Sequence, residues 1–417
     1  MRRLFVTTLV LSLAAAACSS KPAPVRIGAI YPLSGPQSPG GIDEYRGVKL
    51  ALDLVNADGG LHGRPVELLT RDVPGPDAAT AAVDGLAKEG VPVIVGSYGS
   101  VISEPASIEA SHKGVVFWET GAVGSNPMGI EAAGPEELFF RVPPSGATLG
   151  SSAVSFVTDQ LAPMLHRSAS SLRFAVANVD DTYGSAVAAG AVTQIHALGL
   201  PFAGQFPYEA ARLDATAVVQ AIARAKPDVL FVAAYLADGV ALRRAMVDEH
   251  LKLVASIGTS SAYCMPQFGS TLGPAAVGLF ASDKPDEAVL DPAALTPDAR
   301  ALLERAGAVY RAAYGASMSA PALAGFSAGW ALFHDVLPAA ASLTPAAIST
   351  AAMSVRVPAG GLPNGSGLEF GRPGTPTAGA NLRALSVIEE WVSVGQMVVV
   401  WPPPFATQPI KAIAIER

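Results

Sequence analysis

The sequence predicts an α/β protein of two Rossmann-like lobes, each built on a parallel sheet, with a multi-crossover hinge joining them. Three observations carry this expectation. Short β-rich runs alternate with runs of helical apolar spacing in two successive series. The chain has 417 residues, 50% of them hydrophobic, enough to fill two cores. A β-rich stretch over 382–400 follows a long helical region and must find a sheet to join.

The first series opens with a strand over 25–33, then a turn marked by Gly35, Pro36, Gly40 and Gly41. A helix over 42–56 follows, and Gly59 and Gly60 stop it. Strand 66–70, helix 77–89, strand 91–95, helix 103–111 and strand 115–118 complete the series. After 141–145 the second series runs through strand 173–178, helix 182–198, strand 202–207, helix 214–225, strand 229–233 and helix 238–249. Further strands are expected near Val254 and Val277, and Asp180 and Asp181 precede a helix in capping position. From 285 onward the pattern changes to Ala-rich helices over 296–314 and 321–341.

The simplest path crosses between lobes near 141–145, 281–285 and 361–374. Lobe 1 is then 25–143 plus 285–365, and lobe 2 is 144–284 plus 366–405. Ligands of open α/β sheets bind beyond the carboxyl ends of the strands, which places the expected site in a cleft between the lobes. Trp118 and Glu119, at the end of a predicted strand, fall at such a position.

Arg2 and Arg3 precede an apolar run over 4–17, shorter than the roughly 20 residues that span a bilayer. This segment, 1–17, reads as an export signal. Ala15, Ala16 and Ala17 lead into Cys18, an arrangement that resembles a bacterial lipoprotein signal, in which the cysteine is acylated and anchors the protein to the membrane. Cleavage after Ala17 without a lipid is the alternative, and 18–24 is a tether in either case. The expected location is outside the cytoplasm, periplasmic or at the cell surface. Cys264 has only Cys18 as a possible partner, so it is expected to be a free buried thiol.

Composition narrows the function. With 28 Lys and Arg against 35 Asp and Glu, the net charge of −7 argues against a nucleic-acid partner. Two cysteines exclude a disulfide framework or a cysteine-based zinc site, and the six histidines include no H-E-x-x-H pair. No Walker loop occurs, so neither a metal nor a nucleotide cofactor is expected. One segment, Gly325-Phe326-Ser327-Ala328-Gly329, matches G-x-S-x-G, with His334 and Asp335 behind it. The residues ahead of it, S-A-P-A-L-A, are poor strand formers. On one continuous helix His334 would stand about 10 Å along the axis from Ser327, too far to take its proton. The motif is therefore read as helical, and the protein as a binder rather than an enzyme.

Several motifs together resemble the leucine/isoleucine/valine-binding proteins, the extracytoplasmic substrate-binding subunits of ABC importers. They are I-G-A-I-Y-P-L-S-G-P from Ile27, Arg46-Gly47, A-L-D-L-V-N-A-D-G-G from Ala51, and Gly63-Arg64-Pro65. Similarity continues through V-I-V-G-S-Y-G-S from Val93, Pro105-Ala106-Ser107, Phe140-Arg141, Asp181-Thr182-Tyr183-Gly184 and the turn ending at Tyr235. The resemblance implies a type I periplasmic-binding-protein fold that closes on a small-molecule ligand and presents it to a membrane permease.

Residue by residue, Ser100 matches the family serine that bonds the ligand carboxylate, and Tyr98 lies on the same turn. An anion there is also favoured by the unpaired N–H groups of the helix that begins at this point. Tyr183 and Tyr235 match tyrosines of the second lobe that close over the ligand. Gly121 and Val123 fall where family members use a backbone carbonyl and a threonine hydroxyl. Ser260 stands where amino-acid binders carry the glutamate for the ligand ammonium. Pro74 and Gly99 occupy the places of the family disulfide. Each site residue has a plain structural alternative: a serine opening a helix, or tyrosines packing at strand ends. With Val123 and Ser260 lacking the usual groups, either another acid substitutes, Glu119 being best placed, or the ligand is not an ordinary α-amino acid. The expected cargo is a branched-chain or related amino acid; an amide, urea-like or small carboxylate ligand is the alternative, and a sensor using the same fold is the rival to a transporter subunit.

Overall fold

The structure, a computed structural model, describes residues 22–124, 137–259 and 261–411. The signal segment 1–17, Cys18 and Ser260 lie outside the described residues.

The first sheet is built from β1 (Val25–Tyr31), β2 (Val66–Asp72), β3 (Val93–Gly96), β4 (Val116–Glu119) and β5 (Phe139–Arg141). Between them run α1 (Ser38–Ala57), α2 (Ala79–Lys88) and α3 (Ser100–His112). The strand order is β2-β1-β3-β4-β5, with every pairing parallel. Strands β3 and β4 are buried throughout, as uninterrupted apolar runs require when helices cover both faces.

The chain then enters a second sheet through α4 (Gly146–Phe156) and the short α5 (Ala162–Met164). Next come β6 (Phe174–Val179), α6 (Thr182–Ala197), β7 (Phe202–Tyr208), α7 (Ala215–Ala225) and β8 (Val229–Ala233). They are followed by α8 (Leu236–Asp248), β9 (Ala255–Thr259), α9 (Pro266–Leu272) and β10 (Phe280–Asp283). Helices α10 (Pro297–Tyr314), α11 (Ala320–Trp330), α12 (Leu337–Ala339) and α13 (Pro345–Ser354) return to the first lobe and share its core. Last, β11 (Val387–Ser393) and β12 (Gln396–Trp401) complete the second sheet in the order β12-β11-β10-β9-β8-β6-β7. Pairings are parallel from β10 to β7 and antiparallel at β10–β11–β12.

Three differences from the sequence reading have physical reasons. Helix α1 begins at Ser38, so Gly40 and Gly41 lie inside it, with Pro39 tolerated in the first turn. A Cβ on Gly40 would stand 2.1 Å from Cζ of Tyr98, so the glycine yields room to that ring. The strand expected near Val277 starts at Phe280, after a turn in which Gly278 has φ +84°. Helix α4 is short of charge and rich in Gly, Ser and Ala; it forms because Leu149, Ala153, Val154 and Phe156 bury one face.

The third crossing also needs correction. Residues from 366 were expected in lobe 2, but Leu368 and Phe370 are buried in the first core. Phe370 meets Trp118 and Phe140 edge-on, at ring-centroid distances of 5.4 and 4.9 Å. The chain crosses only beyond this aromatic cluster, and β11 begins at Val387.

Candidate functional site

The carboxyl ends of both sheets face one cleft. On the first lobe, β3 runs into a turn where Tyr98 holds φ 73°. A non-glycine residue in this region costs about 1–3 kcal/mol, so the packing of its ring must hold it there. Ser100 follows at the first position of α3 and is 4% exposed. Its Oγ accepts the Gly124 N–H at 2.9 Å, leaving the hydroxyl proton to donate. Ser100 thus ties two turns together rather than capping its helix.

The turn after β4 is organised by Glu119. Its Oε1 accepts N–H groups of Ser97, Gly121 and Ala122 at 3.2, 2.9 and 2.7 Å, and its Oε2 accepts the Ser103 hydroxyl. Glu119 is fully buried and does not line the cleft. The expectation that it stands in for the ammonium partner is corrected: its oxygens are consumed by the turn that presents Gly121 and Val123. Trp118 is likewise internal, its Nε1 donating to the Ala328 carbonyl at 2.9 Å. Alternation sends the two side chains to opposite faces of β4, and both faces are covered, so each packs into the lobe and only the following backbone reaches the cleft.

Across the cleft, Tyr183 opens α6 and Tyr235 precedes α8, with ring centroids 5.3 Å apart. Tyr183 Oη and Thr259 Oγ1 share a hydrogen bond of 2.6 Å, and the Tyr235 hydroxyl donates to Asp181 Oδ2 at 2.8 Å. Asp181 also caps α6, accepting the Gly184 N–H. Burial raises the phenols of Tyr98 and Tyr235 above their ordinary value, so both keep their protons, that of Tyr235 committed to Asp181.

The cavity between these walls brings together Tyr98, Ser100, Gly121, Val123, Tyr183 and Tyr235. It also contains three groups that the sequence reading missed: Ser261, Asp283 and Lys284. The strand-end rule could have found the last two, had β10 been placed three residues later. Lys284 donates to the Gly121 carbonyl at 3.3 Å, joining the end of the second sheet to the first-lobe turn. Glu44, from α1, lies beneath Gly121 and accepts the Thr120 hydroxyl at 2.7 Å. Burial and the neighbouring Glu119 push its carboxyl up to about 8.

This interlobe cavity measures ≈ 20 Å³. That is room for about one water, so the lobes must part before a larger molecule enters. A wider recess of ≈ 570 Å³ shares Tyr98, Tyr235 and Ser261 with it and is walled by Pro36, Pro39, Leu236 and Met265.

The G-x-S-x-G segment lies inside α11. Gly325 lets α11 approach α1, since a Cβ there would stand 2.2 Å from the Glu44 carbonyl oxygen. Ser327 is buried and its Oγ accepts the Asn364 N–H at 3.1 Å. Among the described residues, Cys264 is a free buried thiol, and no group of three His, Cys, Asp or Glu side chains could hold a metal ion. No described helix is long and apolar enough to cross a membrane.

Two α/β lobes closing a polar cavity between their strand ends define a solute-binding protein of the type I class. The chain belongs to the periplasmic binding protein family, whose sequence profile matches residues 24–405. A Leu/Ile/Val-binding protein homolog, number 8 of Brucella suis biovar 1 (strain 1330), is 28% identical over 404 residues, 96% of each chain. Among solved structures, a leucine-binding protein from Thermotoga maritima superposes with a TM-score of 0.74 at 20% identity, covering 90% of this chain and 97% of its own. An ABC-transporter solute-binding protein from R. palustris, in complex with benzoate, superposes at 0.72 with 16% identity, covering 94% and 99%. The relatives are solute-binding proteins, and this chain is a binder rather than an enzyme.

Proposed function

We propose that the protein is the exported solute-binding subunit of an ABC importer, anchored through Cys18, and that it takes a branched-chain or related amino acid into the interlobe cleft. The observation that carries this reading is the convergence of polar groups from both lobes on one cavity: Ser100 and the first turn of α3 on one side, and on the other the rings of Tyr183 and Tyr235, held in place by Thr259 and Asp181. A ligand held by both walls stabilises the closed form by its differential contacts. A shift from 1:99 to 99:1 needs about 5.5 kcal/mol of such difference, which single-lobe binding does not supply. The closed form then docks on a membrane permease.

A second reading, a small carboxylate without an ammonium, is favoured by Val123, which offers no hydroxyl, and by the benzoate held by the R. palustris relative. Thermal unfolding against aliphatic and aromatic amino acids, amides, urea and small carboxylates separates the two. A ligand at 100 times its dissociation constant adds about 2.7 kcal/mol and raises the midpoint. Selective shifts with aliphatic amino acids are expected; shifts with carboxylates alone would favour the second reading, and no shift with any compound would count against both.

A further inference from the structure

With Glu119 consumed by its own turn, a different carboxylate faces the cleft. Asp283 is the last residue of β10, at the carboxyl end of a parallel strand and at the point where the chain leaves the second sheet. It is 1% exposed and lines the interlobe cavity. Its Oδ1 accepts no hydrogen bond. Lys284 Nζ stands 3.5 Å from that oxygen, an ion-pair distance, while the hydrogen bond of the ammonium goes to the Gly121 carbonyl. The backbone N–H of Lys284 and the thiol of Cys264 are the other partners of the carboxylate, which leaves Oδ1 as the oxygen without a hydrogen bond. A buried carboxylate oxygen without a donor is destabilising, and native folds keep such groups where something else completes them.

We infer that Asp283 accepts the cationic end of the ligand, while Ser100 and the first turn of α3 receive its anionic end, so that the cleft is built for a zwitterion. The inference rests on the solute-binding reading of the same cavity and names the chemical class of the solute. Charge balance fits. Lys284 offsets Asp283 in the empty cleft, and Glu44, with its carboxyl pushed up to about 8, holds its proton at neutral pH and adds no full charge beneath Gly121. A neutral zwitterion with separated charges leaves that balance unchanged, whereas a bare carboxylate adds an anion beside Asp283. Glycine or alanine at position 283 would have left the cavity with no acid among its lining residues.

Matched pairs that differ only in the ammonium test this: L-leucine against 4-methylpentanoate, and L-phenylalanine against 3-phenylpropanoate, titrated calorimetrically into the purified protein. The wild type is expected to prefer the amino acid by at least about 100-fold. Asp283→Asn should collapse that preference to within about threefold, weakening the amino acid and, with the like charge removed, strengthening the deaminated acid. Ser100→Ala should weaken both members of a pair alike. Asp283→Ser, smaller and uncharged, serves if the asparagine variant does not fold. A merely structural role for Asp283 would lower the unfolding midpoint without moving the ratio. A wild type that binds both members equally, or a neutral variant that keeps the preference, overturns the assignment while solute binding stands. Absence of binding by all four compounds overturns both.

Discussion

Glu44 shows how much a single buried group governs at this site. Its carboxyl has an ordinary value of 4.5 and is raised to about 8 by burial, then by the charge of Glu119. In the unfolded chain it ionises near 4.5, so between the two values the folded state holds the extra proton. Its contribution to stability is therefore full below about 4.5 and is lost as pH rises through about 8, with a slope of at most about 1.4 kcal/mol per pH unit. Glu44→Gln should flatten the dependence of the urea midpoint on pH in this window; parallel curves for variant and wild type would place the titration elsewhere. At this scale the sequence was informative where residues sit in recognisable turns. Tyr98, Ser100, Gly121, Val123, Tyr183 and Tyr235 all reach the cavity. It misled at Glu119, because nothing in a one-dimensional pattern shows that three backbone N–H groups of a tight turn will claim a carboxylate. Asp283 escaped notice because its role depends on where a strand ends.

Among elements, the contact between α1 and α11 places backbone against backbone. A Cβ on Gly47 would stand 1.9 Å from the Ala322 carbonyl oxygen, with no flexible side chain to give way. Gly47→Ala should therefore destabilise the protein by about 1–3 kcal/mol, read as a lower urea midpoint at unchanged slope. A midpoint at or above that of the wild type would mean that the helices separate without cost. The same contact explains why a nucleophile-elbow pattern occurs in a protein without that chemistry, since Gly325 serves the approach of the helices. Helices with strong apolar spacing, such as α7 and α10, were legible within a few residues. Helix α4 and strand β5 were not, because a run of small residues and a three-residue strand carry almost no periodic signal.

Over the whole molecule, side chains also join the two lobes outside the crossings. Thr182 at the start of α6 donates to Glu104 Oε2 on α3 at 2.5 Å, an exposed bond that spans the cleft. Charged yet solvated, it contributes about 0.5–1.5 kcal/mol to closure. Glu104→Gln should lower ligand affinity by a few-fold through faster dissociation, with the unfolding midpoint of the empty protein unchanged; equal dissociation rates would show that closure does not depend on this bond. Two lobes and repeated crossing were readable from the alternation of elements and the late β-rich stretch. The third crossing was misplaced because the buried cluster of Phe370, Trp118 and Phe140 joins residues far apart in sequence.

The late arrival of β11 beside β10 has a consequence for biosynthesis. The edge of β10 is covered only by residues from Val387 onward, more than a hundred positions later. While a ribosome is still making the chain, the second lobe has an open strand edge and lacks the hairpin that finishes its sheet. Completion of the second lobe therefore waits on a segment more than a hundred positions beyond β10, so that its sheet cannot close when the strands from β6 to β10 have been made. A stop codon ahead of residue 387 would leave not a shortened protein but an unpaired edge open to pairing with other chains.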